Sequence, residues 1–216
     1  MRNVTDYAKF FLKNGFDSHP DTFDGNMKLQ KLLFFANFIN YAENKELLFP
    51  EKMCAFENGT VIEEVRQKYK NDYNSFKQDS INFDPDFSQK EYDVLNKTID
   101  IFGNLTAREL SELNHQFNFW KKRYQASTNE NGYHHKELAE ITNKDLDLEV
   151  DKMKEVLNTY QNNRQINQTK ELINGVTFFY DPKEINIDEI LPQLDSFEAD
   201  EESYTVSIDD GHLVIM

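Results

Sequence analysis

The longest apolar pattern in the chain has no polar face. Between Met27 and Ala42, residues Leu29, Leu32, Leu33, Ala36 and Ile39 form one stripe at helical spacing, and Phe34, Phe35, Phe38 and Tyr41 form a second. A helix that is apolar all round is a buried one, so this segment is expected to run through the middle of a helical domain. Lys28 and Lys31 read as its polar sliver. Ahead of it, Asp6 to Lys13 predicts a short helix with Tyr7, Phe10 and Phe11 inward, stopped at Asn14-Gly15. Residues 15–26, which contain His19-Pro20, read as a loop.

Three later helices are predicted from one device. Thr60-Val-Ile-Glu63, Ser88-Gln-Lys-Glu91 and Thr106-Ala-Arg-Glu109 are each [S/T]-x-x-E. In such a box the hydroxyl accepts from the third residue's N–H and the Glu reaches back to the cap. Leu105 before the third cap and Leu110 after it make a hydrophobic staple. Apolar stripes follow: Tyr92, Leu95, Ile99 and Phe102 with Gly103 as a stop, then Leu110, Leu113, Phe117 and Trp120. Another helix opens after Thr142, with Leu146, Val150, Met153, Leu157 and Tyr160 inward. Segments 71–87 and 126–136 read as loops.

Beyond residue 160 the period changes. QNNRQINQT (161–169) lacks apolar periodicity and reads as a linker or a frayed helix end. Gly175–Tyr180 is strand-like, Asn186 to Ser196 is a short helix interrupted by Pro192, and Tyr204–Ile208 pairs with Leu213–Ile215 through an Asp210-Gly211 turn. The fold class expected is therefore mainly α. A helical domain over 1–160 is joined by a 161–169 linker to a small β-α-β-β unit over 170–216. A unit that small has a marginal core and is expected to lean on the helical domain or on a partner.

Composition supports a folded chain with an aromatic core. Leu, Ile, Val and Phe make up about 27% of the 216 residues, Phe alone numbers 18, and Gly and Pro together only 12. Charge is distributed unevenly. Residues 1–160 hold 27 acidic and 21 basic groups, whereas 161–216 hold 12 and 3, so a quarter of the chain carries more than half of the net −15. A chain this acidic repels phosphate backbones, which disfavours direct nucleic-acid binding. The single cysteine forms no internal disulfide or cysteine zinc cluster. With no apolar signal-peptide core and no apolar run near 18 residues, a cytoplasmic protein that does not enter the membrane is expected.

Chemistry-bearing patterns are sparse. Cys54 sits between apolar neighbours and reads as a small buried residue, with no base at hand to activate it. His134-His135 with Glu137 lacks the spacing that returns two ligands to one helix face. His115, between Leu113 and Phe117, reads as a hydrogen-bonded core or interface histidine. No Gly-rich nucleotide loop and no nucleophile elbow occurs, so no catalytic, metal or cofactor residue is assigned. The acidic cluster Asp195, Glu198, Asp200, Glu201 and Glu202, with Tyr204 beside it, reads as a solvated face able to meet a basic partner surface.

The run MKLQKLLFFANFINYA (27–42), followed by AFENGTVIEEVRQKY (55–69), resembles the Panacea, or SocA-like, antitoxin domain of toxin–antitoxin pairs. Lys28, Leu29, Gln30, Lys31, Leu32, Leu33 and Phe34 match its first element, and Gly59 and Val61 its second. Leu110, Ser111, His115 and Trp120 match its third, and Ile141-Thr142 opens the fourth. Thr60 stands where the family has proline, and its hydroxyl is expected to cap the next helix in that proline's place. The matched residues read first as structural. The resemblance implies a non-enzymatic antitoxin that binds a co-encoded protein toxin, as a hetero-oligomer or with self-association. The acidic C-terminal part, with His115 and Trp120, supplies candidate contact residues. A second expectation is an acidic, phage-borne mimic of nucleic acid directed at a host nuclease or defence protein. An enzyme using His115 or the His134-His135 pair has the least support.

Overall fold

A computed structural model of the 216-residue chain describes residues 1–167, 169–209 and 211–216. The chain divides into two compact units, Met1–Glu155 and Val156–Met216. In the first, α1 (Val4–Lys13) and α2 (Phe23–Asn44) precede a hairpin of β1 (Met53–Phe56) and β2 (Gly59–Ile62). There follow α3 (Glu63–Asn71), α4 (Tyr73–Ile81), α5 (Gln89–Phe102), α6 (Ala107–His115), α7 (Asn118–Ser127) and β3 (Glu140–Ile141). Helix α8 (Asn143–Asn167) then contains the division between the units.

Helix α2 is the axis that the apolar pattern predicts. Thr22 caps it, its hydroxyl accepting from the Gly25 N–H at 3.1 Å, and 22 residues carry it about 33 Å at 1.5 Å each. Every residue from Lys28 to Ala42 is buried. Its phenylalanines meet rings from α5 and from the start of α7: Phe35 stacks on Phe102 at 4.1 Å between centroids, and Phe34 and Phe38 meet Phe117 and Phe119 edge-on or tilted. Lys28 and Lys31 are therefore not a polar sliver. The Lys28 ammonium donates to Gly103 O at 2.8 Å and Ser18 Oγ at 3.0 Å, and that of Lys31 to Thr60 O at 3.0 Å. Each cation is buried because distant backbone accepts its proton, which sequence periodicity does not report.

The boxes at Ser88 and Thr106 form as expected, with both reciprocal hydrogen bonds in place. The one at Thr60 does not. Thr60 lies in β2, opposite Ala55, and α3 begins after Ile62 with no side-chain cap. The same four-residue string is overruled by hairpin pairing. The stripe from Leu110 to Trp120 is also divided, since extended backbone at Phe117 separates α6 from α7. That break turns Phe117 and Phe119 toward α2. Within the expected 71–87 loop lies α4, which buries Tyr73, Phe76 and Ser80 at helical spacing. Buried Asp17 accepts the hydroxyls of Tyr69 (3.1 Å) and Tyr73 (2.7 Å), tying the α1–α2 loop to α3 and α4. Segment 128–135 stays a loop with one bridge, Thr128 to His134.

Strands β1, β2 and β3 make an antiparallel sheet of order β2-β1-β3 that the apolar pattern does not predict. Strand β1 alternates buried and half-buried positions over only four residues and β2 is buried at all four, so neither writes a readable period into the sequence.

The second unit contains β4 (Thr169–Ile173), β5 (Val176–Tyr180), α9 (Ile187–Asp195), β6 (Ser203–Asp209) and β7 (His212–Ile215). The sheet order is β4-β5-β6-β7, with β5 and β6 parallel across α9 and the outer pairs antiparallel. The α+β character agrees with expectation, with one strand added: β4 exposes Thr169, Lys170, Glu171 and Leu172 and buries only Ile173. Its hairpin turns at Asn174 (φ +51) and Gly175 (φ +86), the two left-handed positions of a type I′ turn. Helix α9 runs through Pro192 without interruption. Ile173, Phe178, Ile190, Leu194, Tyr204 and Val206 belong to a core of the unit's own. Residues 161–167 of the polar run are helical, as the end of α8, which is the helix-end alternative for that segment. Gln168 of that run and Asp210 of the expected turn lie outside the described residues.

Candidate functional site

The residues that carry the sequence motif converge on the β1–β2 hairpin. From α2, Gln30 Oε1 accepts from the Ile62 N–H at 2.7 Å and Lys31 Nζ donates to Thr60 O. From α6, Ser111 Oγ donates to Asn58 O at 2.9 Å, and Asn114 Oδ1 accepts both the Thr60 N–H (2.6 Å) and its hydroxyl (3.1 Å). From α7, Trp120 Nε1 donates to Phe56 O at 3.0 Å. Three helices thus hold one tight turn by its backbone groups, and those of Thr60 and Ile62 would otherwise be buried without partners.

Gly59 sits where this network is closest. Its φ is +97°, and a Cβ there would lie 2.6 Å from both Asn114 Oδ1 and Lys31 Cε. Thr60, in the position where the family resemblance has proline, gives two protons to Asn114; a proline has no N–H to give. Asn114 escaped the sequence reading because a buried asparagine inside an amphipathic helix leaves no periodic trace. Leu29, Leu32 and Leu33 are fully buried in the core, and Val61 is buried in β2.

His115 ends α6, half-buried, with its ring stacked on Trp120 at 3.8 Å. The stack continues through Tyr124 to His134 and Phe56. As expected of a hydrogen-bonded histidine, the His115 ring bonds to the backbone of Glu57, while its buried Nε2 and Nδ2 of Asn114 have no partner among the described residues. Burial first, and the nearby Lys31 charge second, push His115 below its ordinary range. Burial likewise lowers His134, helped by Lys136 and His135. His134 and His135 diverge: the first faces Phe56 and Ser127, the second lies exposed beside Tyr133. Among the described residues no three His, Cys, Asp or Glu side chains are grouped to hold a metal. Cys54 is half-buried, and burial raises its thiol, away from a reactive thiolate.

Lys31 is the most perturbed basic group in this cluster. It is 1% exposed, and burial alone pushes it down to about 7. The unfolded chain keeps that proton to about 10.5, so between pH 7 and 10.5 the unfolded state binds more protons and stability rises with pH. Lys31→Met is therefore expected to raise the melting temperature at pH 7. The lost bond to Thr60, worth about 1 kcal/mol, is smaller than the cost of an unpaired buried ammonium. The gap to wild type should close near pH 10. Melting curves at both pH values check this, and a gap independent of pH contradicts it.

Beside the cluster opens a cavity of about 490 Å³, running from exposed Phe23 and Lys70 to Lys31 and lined also by Met27, Phe56 and Val61.

In the second unit Asp195 ends α9, and Glu198, Asp200, Glu201 and Glu202 lie in the connection to β6; all five are exposed. Tyr204 is not part of that surface. It is buried, and its hydroxyl donates to Asp200 Oδ1 and accepts from the N–H groups of Asp200 and Glu201.

No helix among the described residues is long and apolar enough to cross a membrane. Residues 29–121 match the family model described as antitoxin SocA-like, Panacea domain. The match covers α2 from Leu29 through α6 into α7, the elements that hold the hairpin. No curated protein and no solved structure matches the chain.

Proposed function

We propose that this protein, which carries a SocA-like Panacea domain over residues 29–121, is an antitoxin that neutralises a co-encoded protein toxin by direct binding. The domain match is the observation that carries this reading. The toxin–antitoxin complex forms in the cytoplasm, with no chemical step performed by this chain and no nucleic acid or membrane involved. In keeping with this, the motif residues are spent on packing and on the hairpin, and the His115 ring is stacked on Trp120. A fold held this way presents surface, and its function lies in that surface.

The test is growth rescue. The reading frame adjacent to this one, induced alone, should arrest growth, and co-expression of this protein should restore it. Arrest that persists with the soluble protein present overturns the reading.

The exposed acids of the second unit contribute to partner choice through complementary charge. Single surface pairs are worth about 0–1 kcal/mol, so the effect is collective, screened by salt and seen in the association rate. Replacing Asp195, Glu198, Asp200, Glu201 and Glu202 with their amides should slow toxin association at low salt and change it little at high salt. Stopped-flow or surface-binding kinetics at two ionic strengths decide this; an unchanged low-salt rate removes these residues from the interface.

A further inference from the structure

The cavity beside Lys31 has the make-up of a ligand site. Its volume, about 490 Å³, falls in the range of small-molecule pockets, and its wall exposes mostly apolar surface although most of its lining residues are polar or charged. Phe23, Met27, Phe56 and Val61 supply the apolar wall. Lys31 lines it too, a buried ammonium whose one acceptor among the described residues is the neutral Thr60 carbonyl. No carboxylate among the described residues pairs with it, although buried cations ordinarily have one. Gly59 leaves room for the Lys31 stem itself, because any Cβ at that position would collide with it.

From these features we infer that the cavity binds a small organic acid, a single carboxylate on an apolar body, with the carboxylate against Lys31 Nζ. The inference goes beyond toxin neutralisation and does not depend on it.

The other charges around the cavity favour one negative charge over several. Arg66 is already held by both oxygens of Glu63, at 2.7 and 2.8 Å, and Lys70 is exposed to solvent. Asp21 and Glu57 line the same space and repel a multiply charged phosphate. His115, on α6, faces Lys31 and is held below its ordinary range, so it adds no competing cation at neutral pH. Tyr69, on α3, adds a hydroxyl that is already committed to Asp17. Lys31 is thus the charge left to pair.

Binding of an anion requires the protonated amine. Because burial brings Lys31 down to about 7, affinity for the acid should be greatest below that pH and fall about tenfold per pH unit above it. An apolar body alone gives no such dependence.

The experiment is calorimetric titration of the full-length protein with octanoate and phenylbutyrate, and with the corresponding neutral amides, from pH 6 to 9. The acids are expected to bind at least tenfold more tightly than the amides at pH 6, and to lose that advantage by pH 9. Lys31→Met, its folding checked by its melting curve, should abolish the difference between acid and amide, while Lys70→Ala should leave it within about threefold because an exposed pair is weak. Equal binding of acid and amide, an acid affinity that survives Lys31→Met, or no binding of either acid at millimolar concentration would each overturn the assignment.

Discussion

Leu33→Ala is expected to cost about 2–5 kcal/mol of folding free energy. Leu33 is 0% exposed at the middle of α2, a helix packed on every side, so the neighbouring rings have no room to collapse into the space left behind. The loss is a large part of a typical total of about 5–15 kcal/mol. Under the proposed function, neutralisation would then fail through depletion of folded protein, with the contact surface itself unaltered. Chemical denaturation of the purified variant measures the effect directly. A midpoint close to that of wild type would mean that α2 is not the core element described.

Gly59→Ala should rival it, though only one methyl is added. A non-glycine residue held at φ +97° carries strain of about 1–3 kcal/mol, and overpacking adds about 1–3 kcal/mol more. The new methyl meets Asn114 Oδ1, which is fixed by two hydrogen bonds from Thr60, and the stem of buried Lys31. Neither neighbour is free to move. Gly175→Ala gives the comparison, because Gly175 has a similar φ of +86° and nothing within 4 Å of its added Cβ. The Gly59 variant should therefore be the more destabilised by the packing part alone. Equal losses in the two variants, read from thermal melts, would show that the close approach around Gly59 is not tight.

The helix at the centre was legible because burial on all sides writes itself into composition, as the double stripe from Leu29 to Tyr41 does. The caps at Ser88 and Thr106 were legible because their partners lie three residues away. The failures share a cause: the deciding partner is distant in sequence. Thr60 carries the same box, yet pairing with Ala55 and hydrogen bonds to Asn114 place it in a strand. Lys28 and Lys31 look solvated until Gly103 and Thr60 supply their acceptors from 75 and 29 residues away. Helix α4 hides in a polar stretch because its helical face is two rings and a serine, and much of its anchoring is a buried aspartate 56 residues earlier. Strand β4 hides because four of its five residues face water. The Asn174-Gly175 pair that closes its hairpin was the available clue.

The candidate site divides the same way. The motif positions on α2, β2 and α6 were readable as a family pattern, and residues 29–121 carry the match. That these positions clamp a hairpin, and that Asn114 completes the clamp, depended on geometry. The acidic surface was readable from charge alone, whereas Tyr204, adjacent in sequence, proved to be buried support for the loop that bears it.

The most direct test of toxin binding is to mix the purified full-length protein with the purified product of the adjacent toxic reading frame. The mixture is followed by size-exclusion chromatography with light scattering while the toxin's activity is assayed in the same fractions. Direct neutralisation predicts a stable complex of defined stoichiometry in which toxin activity falls in proportion to the antitoxin added and vanishes at that stoichiometry. Two separate peaks, with toxin fully active at antitoxin excess, would contradict it.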